Sequence, residues 1–182
     1  MMIIDGKKIA QEIIEKLKSQ PTPKNIFEAI LVGSAGSPQV AISENFLKQK
    51  EKVAKELGID FRIYRFSTPP AEELKNDDLR KEVLKIALLK KVSGVIVQLP
   101  LPPYINRHYI LNVIPREKDV DVLGERALGA FYTSRNLVLP PAVGTVHEII
   151  GNYKLEVENL RVAVIGVGFL IGKPITTWLM NQ

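Results

Sequence analysis

Cysteine is absent from the 182 residues, which excludes disulfides, thiolate nucleophiles and cysteine-ligated zinc. Histidine is nearly absent too: His108 and His147 are too far apart in sequence to form a metal-ligand spacing, and no metal is expected. No apolar stretch approaches the roughly 20 residues needed to span a bilayer. The opening Met1 to Lys8 carries Asp5, Gly6, Lys7 and Lys8 in place of the apolar core of a signal peptide. A cytoplasmic location without a membrane partner is therefore the expectation. Blocks of like charge are missing as well. The net charge of +5 comes from Lys and Arg interleaved with Asp and Glu, and aromatics are only 7% of the chain. Such a surface helps to hold small polyanions, but it lacks the basic run with interleaved aromatics that nucleic acid calls for, and no nucleic-acid partner is expected.

What is present is an ordinary globular balance, 46% hydrophobic and 25% charged. The length suits one well-buried domain and part of a second. Ile9, Ile13, Ile14 and Leu17 recur at helical spacing, and Pro21 and Pro23 stop that helix. Phe27 to Val32 reads as a buried strand closed by the Gly- and Ser-rich turn Gly33 to Ser37. From Val40 to Leu57 the period is again 3.6, with Ser43, Phe46, Leu47, Lys50, Ala54 and Leu57 on one broad face and Gly58 as the carboxyl-terminal cap. A strand Phe61 to Phe66, a turn at Pro69-Pro70, a helix Asp77 to Lys91 and a central strand Gly94 to Gln98 follow. Helix and strand in alternation predict an α/β fold with helices on both faces of the sheet. After a mixed segment, Val122 to Val138, a helix starts near Pro140-Pro141. A second α/β unit then opens with a strand Leu160 to Ile165, the turn Gly166 to Gly172 and a helix begun by Pro174. The division expected is residues 1–140 and residues 141–182, the second unit being only begun.

Four places can carry chemistry. An ammonium on the apolar stripe of a helix, as at Lys50, either snorkels to water or loses solvation, and desolvation favours proton transfer near neutral pH. Gln98 ends a central strand, where ligands of open α/β sheets collect, and Leu99-Pro100-Leu101-Pro102-Pro103 stiffens the loop beyond it. Gln98 either caps the strand or orients an ammonium or a carbonyl. Asp119 and Asp121, one residue apart, would point the same way if extended. Gly166-Val167-Gly168, between a strand and a helix, is a dinucleotide-binding setting, although Gly172 lies one residue beyond the usual spacing.

The order and wording of these segments resemble the methylenetetrahydrofolate dehydrogenase/cyclohydrolase family. Ile4-Asp5-Gly6-Lys7 with Ile9-Ala10 is similar to its opening, and Ser43 to Lys52 to its lysine-bearing helix. Val97 to Pro102 and Pro115 to Asp121 resemble its two most specific motifs, and Gly166 to Pro174 its nucleotide loop. The resemblance implies a three-layer α/β folate domain followed by an incomplete Rossmann-type unit. It further implies oxidation of a tetrahydrofolate derivative, 5,10-methylenetetrahydrofolate, with NADP or NAD, followed by hydrolysis to 10-formyltetrahydrofolate. In that reading Lys50, Gln98 and Asp121 are catalytic. Ser43, Phe46, Pro100 and Leu101 contact substrate, and Gly166, Val167, Gly168 and Gly172 hold the dinucleotide. A homodimer is implied for the full-length protein.

Departures stand beside the likeness. Phe46 replaces the family's Tyr, Val122 its Gly, Pro140 to Val143 its Pro-Cys-Thr-Pro turn, and Val167-Gly168 its Arg-Ser pair. Two other readings stay open at this level: a folate-binding module without turnover, or with hydrolysis alone, and a nucleotide-binding domain with no folate role.

Overall fold

The computed structural model describes residues 3–34, 36–66, 74–158 and 160–182. The expected turn at Pro69-Pro70 and residue Ala35 of the turn after the first strand lie outside them.

The first helix, α1 (Gly6–Lys18), starts where the Asp5 carboxylate accepts the N–H groups of Lys7 and Lys8 at 3.1 and 3.0 Å. These donors have no partner within a helix, so a side-chain cap of this kind stabilises its start by about 1 kcal/mol. The strands β1 (Ile26–Val32), β2 (Phe61–Phe66) and β3 (Val92–Val97) form a parallel sheet in the order β2-β1-β3, with β1 in the centre. The helix α2 (Pro38–Glu56) joins the first two strands and α3 (Asn76–Leu88) leads to the third.

Alternation along β1 sets the layers. Ile26, Ile30 and Val32 enter one core with Leu79, Val83 and Ile86 of α3 and with Ile110 and Leu111 of α4 (Arg107–Leu111). Ala29 and Leu31 face the opposite way, against Leu47 of α2 and Ile96 of β3. Helices therefore cover both faces of the sheet, and the α/β three-layer expectation holds.

Local signals act where the sequence places them. Ser37 accepts the Val40 N–H at 3.2 Å and Pro38 occupies the first turn of α2. At its far end Gly58 takes φ +71°, Gly58 N donates to Lys55 O at 3.2 Å and Ile59 N to Ala54 O at 2.8 Å. This pair of bonds is the glycine-terminated helix end expected from Gly58.

Beyond the sheet come α5 (Glu125–Tyr132), α6 (Pro141–Asn152) and α7 (Gly172–Leu179). Ala127 and Phe131 of α5, Val143 of α6 and Trp178 of α7 make a second core with Val122. The edge of the Trp178 ring meets His147 at 5.9 Å.

The strand expected from Leu160 to Ile165 is not formed. Leu160 and Val162 are exposed, and Ile165 is 99% exposed. A parallel strand is stable only when neighbours accept its backbone bonds and cover its faces, and no described strand stands beside this one. Among the described residues its hydrophobic pattern has no sheet to pack on.

Candidate active site

Lys50 projects from the fourth turn of α2 and is half-buried. Its Nζ donates to Gln98 Oε1 at 3.1 Å. Gln98 follows β3 directly and is 8% exposed, and its backbone N–H continues the ladder to Ile30 O at 2.9 Å. The amide orientation is settled by its other end, since Nε2 donates to Leu99 O at 2.8 Å. A carbonyl accepts only, so the amide nitrogen faces Leu99 and the amide oxygen is left to meet the ammonium. The Leu99-Pro100 peptide is cis.

Asp121 lines the same cavity, about 270 Å³, with Lys50, Gln98, Leu99, Pro141, Ala142, Leu170 and Ile171. Burial raises its carboxyl above the usual range, Lys50 opposes that rise, and the neighbouring Asp119 adds to it. A second cavity of about 540 Å³ shares Lys50, Asp121 and Pro141 and continues as an apolar trough past Phe27, Val53, Phe61, Ile96 and Val120. One end of the combined space is polar and the other apolar, as a flat heteroaromatic ligand with polar edges requires.

The two aspartates have parted company. They lie in a tight turn, so the shared direction that an extended segment would impose does not arise. Asp119, 3% exposed, accepts the Leu123 N–H at 3.0 Å and the Gly124 N–H at 2.7 Å. Its carboxyl is raised by burial against the pull of these bonds. Lys118 anchors the other side of the turn, donating to Ala87 O at 2.7 Å and Leu89 O at 2.9 Å beyond the end of α3. Val122, the residue after Asp121, has φ +56°, a conformation costly for a β-branched residue and free for glycine. The family's glycine at this position therefore has a backbone reason. Val122 is held in that shape by burial in the second core, at 1% exposure.

The remaining expected site residues lie outside both cavities. Ser43 is buried beneath α2, and Phe46, one turn before Lys50, is 59% exposed. Pro100 is exposed and its carbonyl accepts from Gln39 Nε2 at 3.2 Å, while the Leu101 side chain belongs to the first core. Pro141 and Ala142, from the turn whose departure from the family's pattern bears on the pterin pocket, form walls of the smaller cavity, and sequence reasoning missed the walls supplied by Leu170 and Ile171. A proline at a helix start was legible, but nothing local said that it faces Lys50.

In the glycine-rich loop, Gly166 adopts φ +91°, and a Cβ added at Gly172 would overlap the Gly166 carbonyl. Two glycines thus let the loop close on itself before α7, with Lys173 N donating to Gly168 O at 3.0 Å. Val167 and Gly168 are exposed beside that helix start.

An ammonium held by a strand-end amide, with a half-buried carboxylate in the same cavity at the edge of a parallel sheet, gives this α/β protein a cavity lined by groups able to hold and pass a proton. The chain belongs to the tetrahydrofolate dehydrogenase/cyclohydrolase family: residues 4–121 match the description "Tetrahydrofolate dehydrogenase/cyclohydrolase, catalytic domain". It is 31% identical over 189 aligned residues to the "Bifunctional protein FolD" of Clostridium perfringens (strain SM101 / Type A), an alignment covering 99% of this chain and 64% of that protein. The 5,10-methylenetetrahydrofolate dehydrogenase of the silkworm, Bombyx mori, superposes with a TM-score of 0.85 at 25% identity, covering 97% of this chain and 60% of that one. The Trypanosoma brucei methylenetetrahydrofolate dehydrogenase-cyclohydrolase, solved with NADP cofactor and inhibitor, gives 0.82 at 25% identity, covering 99% and 61%. The chain thus spans just under two thirds of the length of the relatives it matches.

Proposed function

We propose that the chain carries the folate-side reaction centre of a methylenetetrahydrofolate dehydrogenase/cyclohydrolase. The whole protein would oxidise 5,10-methylenetetrahydrofolate to the methenyl form and hydrolyse that to 10-formyltetrahydrofolate. The observation that carries the proposal is the 3.1 Å bond from Lys50 to a Gln98 whose amide is locked by Leu99. In hydrolysis, water adds to the methenyl carbon, one of its protons leaves, and a ring C–N bond opens as that nitrogen takes a proton. Lys50 is the group that moves this proton, Gln98 keeps its Nζ in place, and Asp121 hydrogen-bonds the pterin edge. The raised carboxyl of Asp121 helps: a protonated carboxyl both donates and accepts toward a heterocycle, and an ionised one only accepts.

Phe46 offers a flat, exposed face one turn from Lys50 for the aminobenzoyl ring, without the hydroxyl of a tyrosine. The dinucleotide, NADP or NAD, supplies a hydride acceptor when bound. Backbone at Gly166, Val167, Gly168 and Gly172 would hold its phosphates, for which the positive φ of Gly166 and the tight Gly166–Gly172 approach leave a bare backbone surface. The folate unit on this reading ends near Pro140. A homodimeric whole protein and a cytoplasmic location go with it. Among the described residues no helix is long and apolar enough to cross a membrane.

The test needs no dinucleotide. Purified chain is mixed with 5,10-methenyltetrahydrofolate and the loss of its absorbance is followed. Lys50→Ala should lower the catalysed rate by about 10² or more, the usual size of a general acid–base contribution. An unaltered rate in that variant would sink the assignment. Folate binding without hydrolysis in the unsubstituted chain would favour instead a binding module, the reading to which the missing hydroxyl at position 46 points.

A further inference from the structure

Two carboxylates stand one residue apart beside the cavity that holds Lys50, and of the two Asp121 lines it. Asp119 is bound up in the backbone instead. Its Oδ2 accepts the N–H groups of Leu123 at 3.0 Å and Gly124 at 2.7 Å, and its Oδ1 lies 3.2 Å from the Leu123 nitrogen. The N–H groups of Val122 and of Asp121 itself also favour the charged form of Asp119. A Cβ on Gly124 would stand 3.1 Å from Oδ2, so the close approach depends on the bare backbone at that residue. The Asp119 main chain is tied down too: its N–H donates to Pro115 O at 3.0 Å, its carbonyl accepts from Val122 N at 3.3 Å, and Lys118 holds the end of α3. With Asp119 fixed on one side and Val122 in the second core on the other, the Asp121 side chain is held in the cavity with Lys50.

The surroundings also divide the protons between the two. Both oxygens of Asp119 meet N–H donors, an arrangement that suits an ionised, accept-only carboxylate. Asp121 receives no such bond, and the charges that act on it are Lys50 of α2 and Asp119 of its own turn. Among the described residues lining the two cavities, Lys50 and Asp121 are the ionisable ones. Neighbouring carboxyls of this kind lose their protons one after the other, the better supported one first. We infer that Asp119 is a positioning residue for this site: by closing the turn on Leu123 and Gly124 it directs Asp121 into the cavity beside Lys50, and by keeping the negative charge it leaves Asp121 as the protonated partner that donates to a ligand. That the ligand is a pterin edge rests on the folate reading, whereas the positioning stands without it.

Carbon-13 NMR of the side-chain carboxyls in the full chain, titrated with pH and without ligand, tests it. In the native chain Asp119 should lose its proton before Asp121. Asp119→Asn removes the charge while its amide oxygen still accepts from Gly124, and Asp121 should then titrate at lower pH. Asp121→Asn should leave the titration of Asp119 in place, because Asp121 is still neutral when Asp119 ionises, and this variant decides the matter if Asp119→Asn does not fold. A second arm measures affinity for 5-formyltetrahydrofolate, a stable folate. At a pH where the native Asp121 is protonated and that of the variant is not, Asp119→Asn should weaken binding about tenfold, the loss of roughly one hydrogen bond. In an Asp121→Ala background the same substitution should cost less than about twofold, whereas a merely structural role would cost the same in both. A native chain that binds no folate would count against the folate reading alone, since the titration needs none. An Asp121 titration unmoved by Asp119→Asn, an Asp119 titration lowered by Asp121→Asn, or equal losses of affinity in the two backgrounds overturns the proposal.

Discussion

Two segments of this chain carry nearly the same strand signal and meet opposite fates. Val92 to Val97 reads Val-Ser-Gly-Val-Ile-Val and becomes β3, with Val92, Val95, Ile96 and Val97 no more than 5% exposed. Leu160 to Ile165 reads Leu-Arg-Val-Ala-Val-Ile and joins no sheet, with Ile165 in solvent. Propensity does not separate them. β3 has β1 to receive its backbone bonds, α3 and α4 to cover one face and α2 the other, whereas among the described residues the later segment has neither. A strand is thus a property of its neighbours as much as of its residues.

The comparison can be broken most directly by truncating one apolar side chain in each region. Ile30→Ala, at the centre of the sheet and fully buried, should cost about 2–5 kcal/mol in urea unfolding. Ile165→Ala should stay within about 0.5 kcal/mol, as surface substitutions do. Equal losses at the two positions would mean that residues 160–165 pack in solution after all.

A second experiment sharpens it through a charge. Glu28, on β1, is fully buried, and neither carboxylate oxygen finds a hydrogen-bond partner among the described residues. Burial raises its carboxyl, with Arg62 opposing, Asp60 reinforcing and Lys91 opposing. A raised value means that the folded state holds the proton more firmly than the unfolded chain. Its contribution to stability is therefore complete below the ordinary carboxylate range and is lost as pH rises through the raised value. Asp119 and Asp121, raised as well, act in the same direction. Glu28→Gln should gain about 1–3 kcal/mol at neutral pH and nothing in acid, the size of one uncompensated buried polar group. A gain independent of pH would show that packing, and not ionisation, is the cause.

The smallest effect concerns two glycines with positive φ. Gly58→Ala, at the end of α2, should cost about 1 kcal/mol of global stability. Gly166→Ala meets a similar backbone strain in an exposed loop outside both cores, and should leave the global transition unchanged within a few tenths of a kcal/mol.

Much of the sheet domain was legible in advance. The spacing of Ile9, Ile13 and Leu17, the cap at Gly58 and the apolar runs of β1 and β3 are local signals, and each acts locally. Within the candidate site, Lys50 and Gln98 stood out because each combined a polar group with an apolar setting, and they meet. The division of labour between Asp119 and Asp121 was not legible, because it depends on a turn closed by Leu123 and Gly124. Nor was the isolation of Glu28, whose surroundings come from β2 and the layer above the sheet.

By itself the sequence determined where α1, α2 and α6 lie, which residues alternate into the sheet, and which family motifs lie along the chain, since all of these depend on residues a few positions apart, whereas α4 and α5 carried no helix signal that was read. Only the tertiary structure decided which strand-like run became a strand and which carboxylate shares a cavity with Lys50. Those outcomes depend on what is brought alongside from elsewhere in the chain: burial, pairing and solvation are set by neighbours in space, which residue order specifies only through the fold.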